Sequence, residues 1–302
     1  MKEVVAEPIP VIVTPTKSWF AVFCDLIKAR LTFLVLLTTA VGFYVAVRGS
    51  VDYALMIHTL LGTALLASGA SALNQLLERG HDAKMARTEG RPLPSGRLQP
   101  EAVLIFGGIT SAAGMVYLAI AVNLLTSLLG AVTLLSYVFV YTPLKRITSL
   151  NTAIGAIPGA LPPLMGWTAV RDEISAGGWA LFAILFFWQL PHFLAIAWIY
   201  RDDYAKAGYV MLPAVDPEGK RTSRQAVSHT LGLLPISLTP VIFGLVGPLY
   251  LLGALVLGLG FLICAVQFAR EMNLKRARAL FFASIIYLPL LLALMVLDKI
   301  RT

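Results

Sequence analysis

Long apolar runs alternate with short polar segments along almost the whole chain. A run of about 20 apolar residues matches the thickness of a bilayer core. Read between charges and turn signals, the runs fall at 31–48, 54–77, 101–122, 124–141, 151–170, 178–200, 229–247, 249–268 and 279–297. The pattern predicts an all-α polytopic membrane protein: nine transmembrane helices in one bundle, formed by residues 19–302. Pro158, Pro162 and Pro163 interrupt the fifth run. Proline is tolerated in a membrane helix when neighbours re-satisfy the freed carbonyls. Residues 1–18 carry acids, three prolines and no small-residue cleavage site after an apolar run, and read as a disordered cytoplasmic tail without a cleavable signal.

Composition agrees with lipid as the solvent. Of 302 residues, 58% are hydrophobic and only 13% charged, too few to cover a water-facing surface. Mean hydropathy is +0.80.

The net charge of +8 sharpens the topology. Nine spans put 20 of the 24 Lys and Arg residues on one side, with Arg48, Arg171, Lys299 and Arg301 opposite. The basic side of a membrane protein is cytoplasmic, so the N-terminus is expected there. Because the bases are scattered over short loops, no nucleic-acid partner is expected. Cys24 and Cys264 are isolated and suggest neither a disulfide framework nor a metal site. A bacterial inner membrane is the expected location.

Two cytoplasmic loops, 78–100 and 201–228, are long and polar, and both begin with acids at the end of an apolar run. Asn74, Glu78 and Asp82 are spaced by four, which lines them along one face of a continuing helix. Two carboxylates and an amide oxygen suit Mg²⁺, which is often shared with substrate phosphates. Arg87 and Arg91 follow at the same spacing, and arginine is a bidentate phosphate partner. A charged juxtamembrane loop would also account for these residues, and Gly80 argues against an unbroken helix. The second loop opens with Arg201, Asp202, Asp203 and Lys206. Between them lies a short basic turn, Tyr141-Thr-Pro-Leu-Lys145-Arg146. Its bases could anchor topology or neutralise a diphosphate. His192, after Pro191, is the one histidine within a span; it could be structural, or contact a substrate iron or proton.

Asn74-x₃-Glu78-x₃-Asp82, followed by Arg87-Thr-x-x-Arg91-Pro-Leu-Pro-Ser-Gly, resembles the first aspartate-rich motif of the UbiA-type intramembrane prenyltransferases. The resemblance covers most of residues 20–298. It implies nine helices and an isoprenyl diphosphate bound through Mg²⁺ at two acidic motifs on the cytoplasmic side. Carried over, the metal-binding set is Asn74, Glu78, Asp82, Asp202 and Asp203. The diphosphate-binding set is Arg87, Arg91, Lys145 and Arg146. Asn74, Glu78, Asp82, Asp203, Lys206 and His192 form the catalytic set. Glu78 stands where the family usually has Asp, and Lys206 where a further acid is expected, which leaves the second metal ion open.

Within the family, three stretches resemble the branch that farnesylates haem B: Glu78 to Thr88, Tyr141 to Trp167, and Trp188-Gln-Leu-Pro191-His192-Phe193 with Asp203 to Pro213. The implied reaction joins farnesyl diphosphate, haem B and water into haem O and diphosphate. A haem A synthase is the implied downstream partner.

Transfer to a quinone precursor is the nearest alternative; a transporter is another. A transporter is expected to carry charges near the bilayer midplane, where this chain has almost none besides His192. A permanent haem protein would need paired intramembrane histidines.

Overall fold

The computed structural model describes residues 18–300. The expected tail therefore lies outside the described residues except for Ser18, whose hydroxyl accepts from the Ala21 N–H and caps a short first helix, α1 (Trp19–Leu26). Trp19, Phe20 and Phe23 of α1 are exposed, as befits a helix lying at a lipid interface. The long helices follow: α2 (Ala29–Ala46), α3 (Tyr53–Asp82), α4 (Pro100–Ala121) and α5 (Leu124–Leu135). A π-helical turn, Ser136–Tyr141, and a last turn, α6 (Thr142–Leu144), continue α5. Then come α7 (Asn151–Arg171), α8 (Ala176–Ile199), short α9 (Arg201–Lys206), α10 (Lys220–Ile242), α11 (Pro248–Arg270) and α12 (Leu274–Leu297).

Among the described residues, eight helices are long and apolar enough to cross a membrane. The remaining expected span, 229–247, corresponds to α10, which begins earlier at Lys220 and carries Lys220, Arg221 and Arg224 in its first turns. Hydropathy marks where apolar sequence starts, not where the helix does. The start is set by Asp216, whose Oδ2 accepts from the Thr222 N–H at 2.7 Å and its hydroxyl at 2.8 Å.

The proline-interrupted fifth run is one continuous helix, α7, with Pro158, Pro162 and Pro163 inside it. It is also central: 67% of its span is buried, against 28% of α4 or α11. Lipid-facing helices keep apolar side chains exposed, such as Ile120 and Leu252. Without a hydrophobic drive between membrane helices, close backbone approach supplies the attraction. A Cβ on Gly42 would strike the Pro163 carbonyl, and one on Gly166 the Thr39 carbonyl, so α2 and α7 pack backbone to backbone. Gly69 against Gly107 and Ser111 brings α3 onto α4 in the same way.

The core is heaviest around α8 and α10 to α12, where Trp188, Trp198, Tyr250, Phe261, Phe268 and Tyr287 are buried. This anchors α8 and fixes where its polar end, and α9, emerge. The ends of α3 and α6 and the start of α2 meet at one end of the bundle, joined by side-chain bonds between Lys28, Asn74, Thr142, Glu78 and Lys145.

Candidate active site

Helix α3 runs unbroken through Gly80 to Asp82. Asn74, Glu78 and Asp82 therefore share one face, and all three are buried. Beyond Asp82 the chain turns back on itself. The Thr88 hydroxyl donates to the Asp82 carbonyl at 2.8 Å, which returns Arg91 to the acidic face. Arg91 Nη1 then lies 2.6 Å from Asp82 Oδ2.

The π turn aims the opposite wall. The Thr142 N–H reaches back five residues to the Tyr137 carbonyl, a helical irregularity that recurs at functional sites. It stacks Tyr137 on Tyr141 at 5.8 Å between centroids and points the following Lys145 inward. Lys145 Nζ lies 2.6 Å from Glu78 Oε1 and 4.6 Å from the centre of the Tyr141 ring. One turn deeper, Asn74 Nδ2 donates to the Thr142 hydroxyl at 2.9 Å, while Lys28 Nζ donates to Asn74 Oδ1 at 2.6 Å and to the Tyr137 hydroxyl at 3.2 Å.

Loop 207–211 closes the site. Val210 N–H donates to the Lys145 carbonyl at 2.8 Å, Asn151 Nδ2 donates to the Val210 carbonyl at 2.9 Å, and His81 Nδ1 meets the Ala207 carbonyl at 2.7 Å. Arg87 donates to the Tyr204 hydroxyl at 3.2 Å and lies over the Tyr200 ring. Lys28, Glu78, Asp82, Arg87, Arg91 and Lys145 thus surround one cavity, whose remaining wall is aromatic and sulfur-bearing.

The charges in this cavity are coupled. Burial pushes the Lys145 ammonium down, but the Glu78 carboxylate overrides it, so the net direction is well above the ordinary lysine value. Lys28 goes the other way, lowered to about 7 by burial and then by the Arg91 charge. Burial, and then the Glu78 charge, raise the Tyr209 phenol.

The remaining expected residues are elsewhere. Asp202 is exposed, with Oδ1 3.7 Å from Arg201 Nε. Asp203 is half-buried and Lys206 exposed on α9, and neither lines the cavity. Arg146 is exposed and its Nη1 lies 3.2 Å from His81 Nε2. His192 lies in the contact between α8 and α12: Nδ1 is 2.7 Å from the Ser284 hydroxyl, and its ring stacks between Trp188 and Phe281. Among the described residues no three His, Cys, Asp or Glu side chains stand close enough together to hold a metal by themselves. Lys28, Tyr204 and Tyr209 were not foreseen as site residues. A lysine at the head of an apolar run looks like any topological anchor, and the tyrosines reach the cavity only through the loop fold.

The fold has counterparts in known proteins. The UbiA prenyltransferase family model matches residues 35–286. The chain belongs to the UbiA prenyltransferase family. It is 48% identical over 286 residues to the protoheme IX farnesyltransferase of Solibacter usitatus, covering 92% of this chain and 98% of that one. It is 42% identical to the enzyme of the same name from Koribacter versatilis, covering 98% of both. The mitochondrial protoheme IX farnesyltransferase of Arabidopsis thaliana is 37% identical, covering 92% of this chain and 65% of its own length. Among solved structures, a digeranylgeranylglyceryl phosphate synthase superposes with a TM-score of 0.78 at 16% identity, covering 92% of this chain and 98% of that one. A UbiA homologue from Archaeoglobus fulgidus bound to GPP and Mg²⁺ gives 0.64 at 15% identity, covering 91% and 99%. These structural likenesses carry the UbiA fold; the curated relatives carry the activity, and the chain is a prenyltransferase.

Proposed function

We propose that this UbiA enzyme transfers a farnesyl group from farnesyl diphosphate to the vinyl group of haem B, with addition of water, giving haem O and diphosphate. The reading also takes all nine long helices as spans, places the cavity at the cytoplasmic face of a bacterial inner membrane, and hands the product to a haem A synthase. The relatives' shared name supports the acceptor. The observation that carries the chemistry is the reciprocal pairing of Glu78 with Lys145 and Asp82 with Arg91 around one cavity.

Each carboxylate is held by a cation of the kind that binds phosphate. A diphosphate entering the cavity would take the cations for its own oxygens. It would free Glu78 and Asp82, with the Asn74 amide, as hard oxygen ligands of the type Mg²⁺ prefers. The donor set fits that ion. So does the Tyr209 hydroxyl, which lines the cavity buried and without a hydrogen-bond partner among the described residues. When bound, Mg²⁺ would neutralise charge on the leaving diphosphate.

The protein's own residues do the rest. Arg87, Arg91 and Lys145 line the cavity in which charge would develop as the allylic C–O bond breaks. Tyr141 and Tyr204 present aromatic faces that can stabilise a delocalised farnesyl cation. Asp202, Asp203 and Lys206 form the second acidic motif on α9; they lie outside the cavity lining and would meet a diphosphate only from its rim, and Arg146 steers the incoming anion.

His192 is assigned to the acceptor. The Ser284 hydroxyl donates to the Phe281 carbonyl at 2.5 Å, so it accepts from His192, and the proton sits on Nδ1. Nε2 has no partner among the described residues and keeps its lone pair. A neutral imidazole held this way is a ligand for a haem iron.

The test is turnover of purified protein with farnesyl diphosphate and Mg²⁺ against haem B or 4-hydroxybenzoate, read by product mass. A farnesylated, hydrated haem supports the reading; prenylation of hydroxybenzoate alone refutes the acceptor.

A further inference from the structure

Three of the four basic residues expected on the far side of the bilayer, Arg48, Arg171 and Lys299, converge on one cavity of about 300 Å³. It lies at the end of the bundle opposite Glu78, between the last turns of α2 and α7, the first turn of α8, the α10–α11 turn and the segment after α12. Basic residues are disfavoured on that side, so their meeting at one point calls for a physical reason.

The cavity is rich in donors and poor in acceptors. Trp167 is 4% exposed, and its Nε1 has no hydrogen-bond partner among the described residues. Arg171 Nε is likewise buried and unpartnered, and its guanidinium lies 5.8 Å from the centre of the Trp167 ring. Helix α8 starts here without a side-chain cap, Ser175 making no capping bond. The orphan N–H groups of its first turn add positive potential. Gly177 and Gly178 let the Trp167 ring pack directly against that turn, since a Cβ on either would meet the ring. Lys299 is held in place by the Tyr44 and Val47 carbonyls at 2.6 and 2.7 Å.

Among the described residues, no acid forms an ion pair with either arginine. Asp172 and Glu173 are exposed on the adjoining loop, and neither pairs with Arg48 or Arg171 among the described residues. Asp298 accepts instead from the Tyr250 N–H at 2.7 Å. Buried donors without acceptors are costly and rare. Here they sit beside a cavity lined by Arg48 and Arg171, whose guanidinium groups have no hydrogen-bond or ion-pair partner among the described residues.

We propose that this cavity binds the phosphate of an anionic phospholipid from the leaflet opposite the diphosphate site. A helix N-terminus with arginines is a phosphate site. The mouth is apolar and exposed, at Phe243 and Ile300, with Ile242 and Leu297 exposed alongside. That surface suits acyl chains and not a soluble ion.

The test uses the full chain, reading retained lipid by native mass spectrometry and stability by thermal shift. Phosphatidylglycerol, phosphatidylcholine and inorganic phosphate are the three probes. Wild type should retain phosphatidylglycerol at least tenfold more tightly than Arg48→Gln or Arg171→Gln, and show the largest thermal shift with it. Trp167→Phe, which keeps an aromatic ring but removes the indole N–H, should weaken retention less. Arg48 is exposed and outside the core, so R48Q should fold and keep wild-type prenyl transfer. Equal retention of phosphatidylglycerol by wild type and R48Q, or a full thermal shift from inorganic phosphate alone, would overturn the proposal.

Discussion

Lys145 Nζ lies 2.6 Å from Glu78 Oε1, and the two residues come from helices 67 positions apart in sequence. The carboxylate is nearly enclosed, with 6% of its side chain exposed. Removing one partner of such a pair leaves the other buried and uncompensated. Lys145→Gln should therefore lower the unfolding free energy by about 3–5 kcal/mol, read in reversible unfolding in detergent. The double variant Glu78→Gln/Lys145→Gln should recover much of that loss and no turnover. A double variant as unstable as the sum of the singles would deny the coupling.

Asp82 and Arg91 form the second reciprocal pair, at 2.6 Å. Asp82→Asn keeps the shape and removes the charge. Turnover should be abolished while membrane insertion and elution profile stay as in wild type. Chelating divalent ions should silence the wild-type enzyme, with recovery on adding Mg²⁺. Turnover by Asp82→Asn at wild-type rate would remove this residue from the site.

The part of this site that was legible in the sequence is the part written locally. Spacing by four put Asn74, Glu78 and Asp82 on one face, and the helix carries that face to its end. Gly80 did not break it, because tertiary burial outweighs a propensity difference of roughly 1 kcal/mol. Arg91 was expected near a phosphate; its return to Asp82 depends on the turn fixed by Thr88. Lys28 and Tyr209 were not legible, since long-range packing of α2 and of loop 207–211 brings them in. Eight of the nine expected spans are helices long and apolar enough to cross a membrane, and the other, α10, starts in polar sequence held by Asp216. The π turn at Ser136–Tyr141 has no hydropathic signature, yet it orients Tyr141 and Lys145.

His192 is separated from the charged cavity and engaged by Ser284. If it ligates haem iron, His192→Ala should shift the absorption spectrum of haem bound to the protein and weaken haem binding about tenfold or more. Affinity for the prenyl diphosphate should be unchanged. Ser284→Ala should shift the spectrum less, by freeing the tautomer. An unaltered haem spectrum in His192→Ala would confine this residue to packing α8 against α12.

The α2–α7 contact has no room for a methyl group at Gly166, where a Cβ would meet the Thr39 carbonyl and the Phe43 nitrogen. Gly166→Ala should lower stability by about 1–3 kcal/mol, measured as loss of folded protein on heating in detergent. Gly80, which has open space around its Cβ position, should accept alanine without loss. Equal stability of the two variants would contradict the backbone-to-backbone packing.

In the proposed function, the paired charges at Glu78–Lys145 and Asp82–Arg91 serve farnesyl transfer to haem B. The most direct measurement is the product mass after incubating purified protein with farnesyl diphosphate, Mg²⁺ and either haem B or 4-hydroxybenzoate. Haem B should gain one farnesyl group and one hydroxyl, with no prenylated hydroxybenzoate formed. Prenylated hydroxybenzoate with unmodified haem would contradict it.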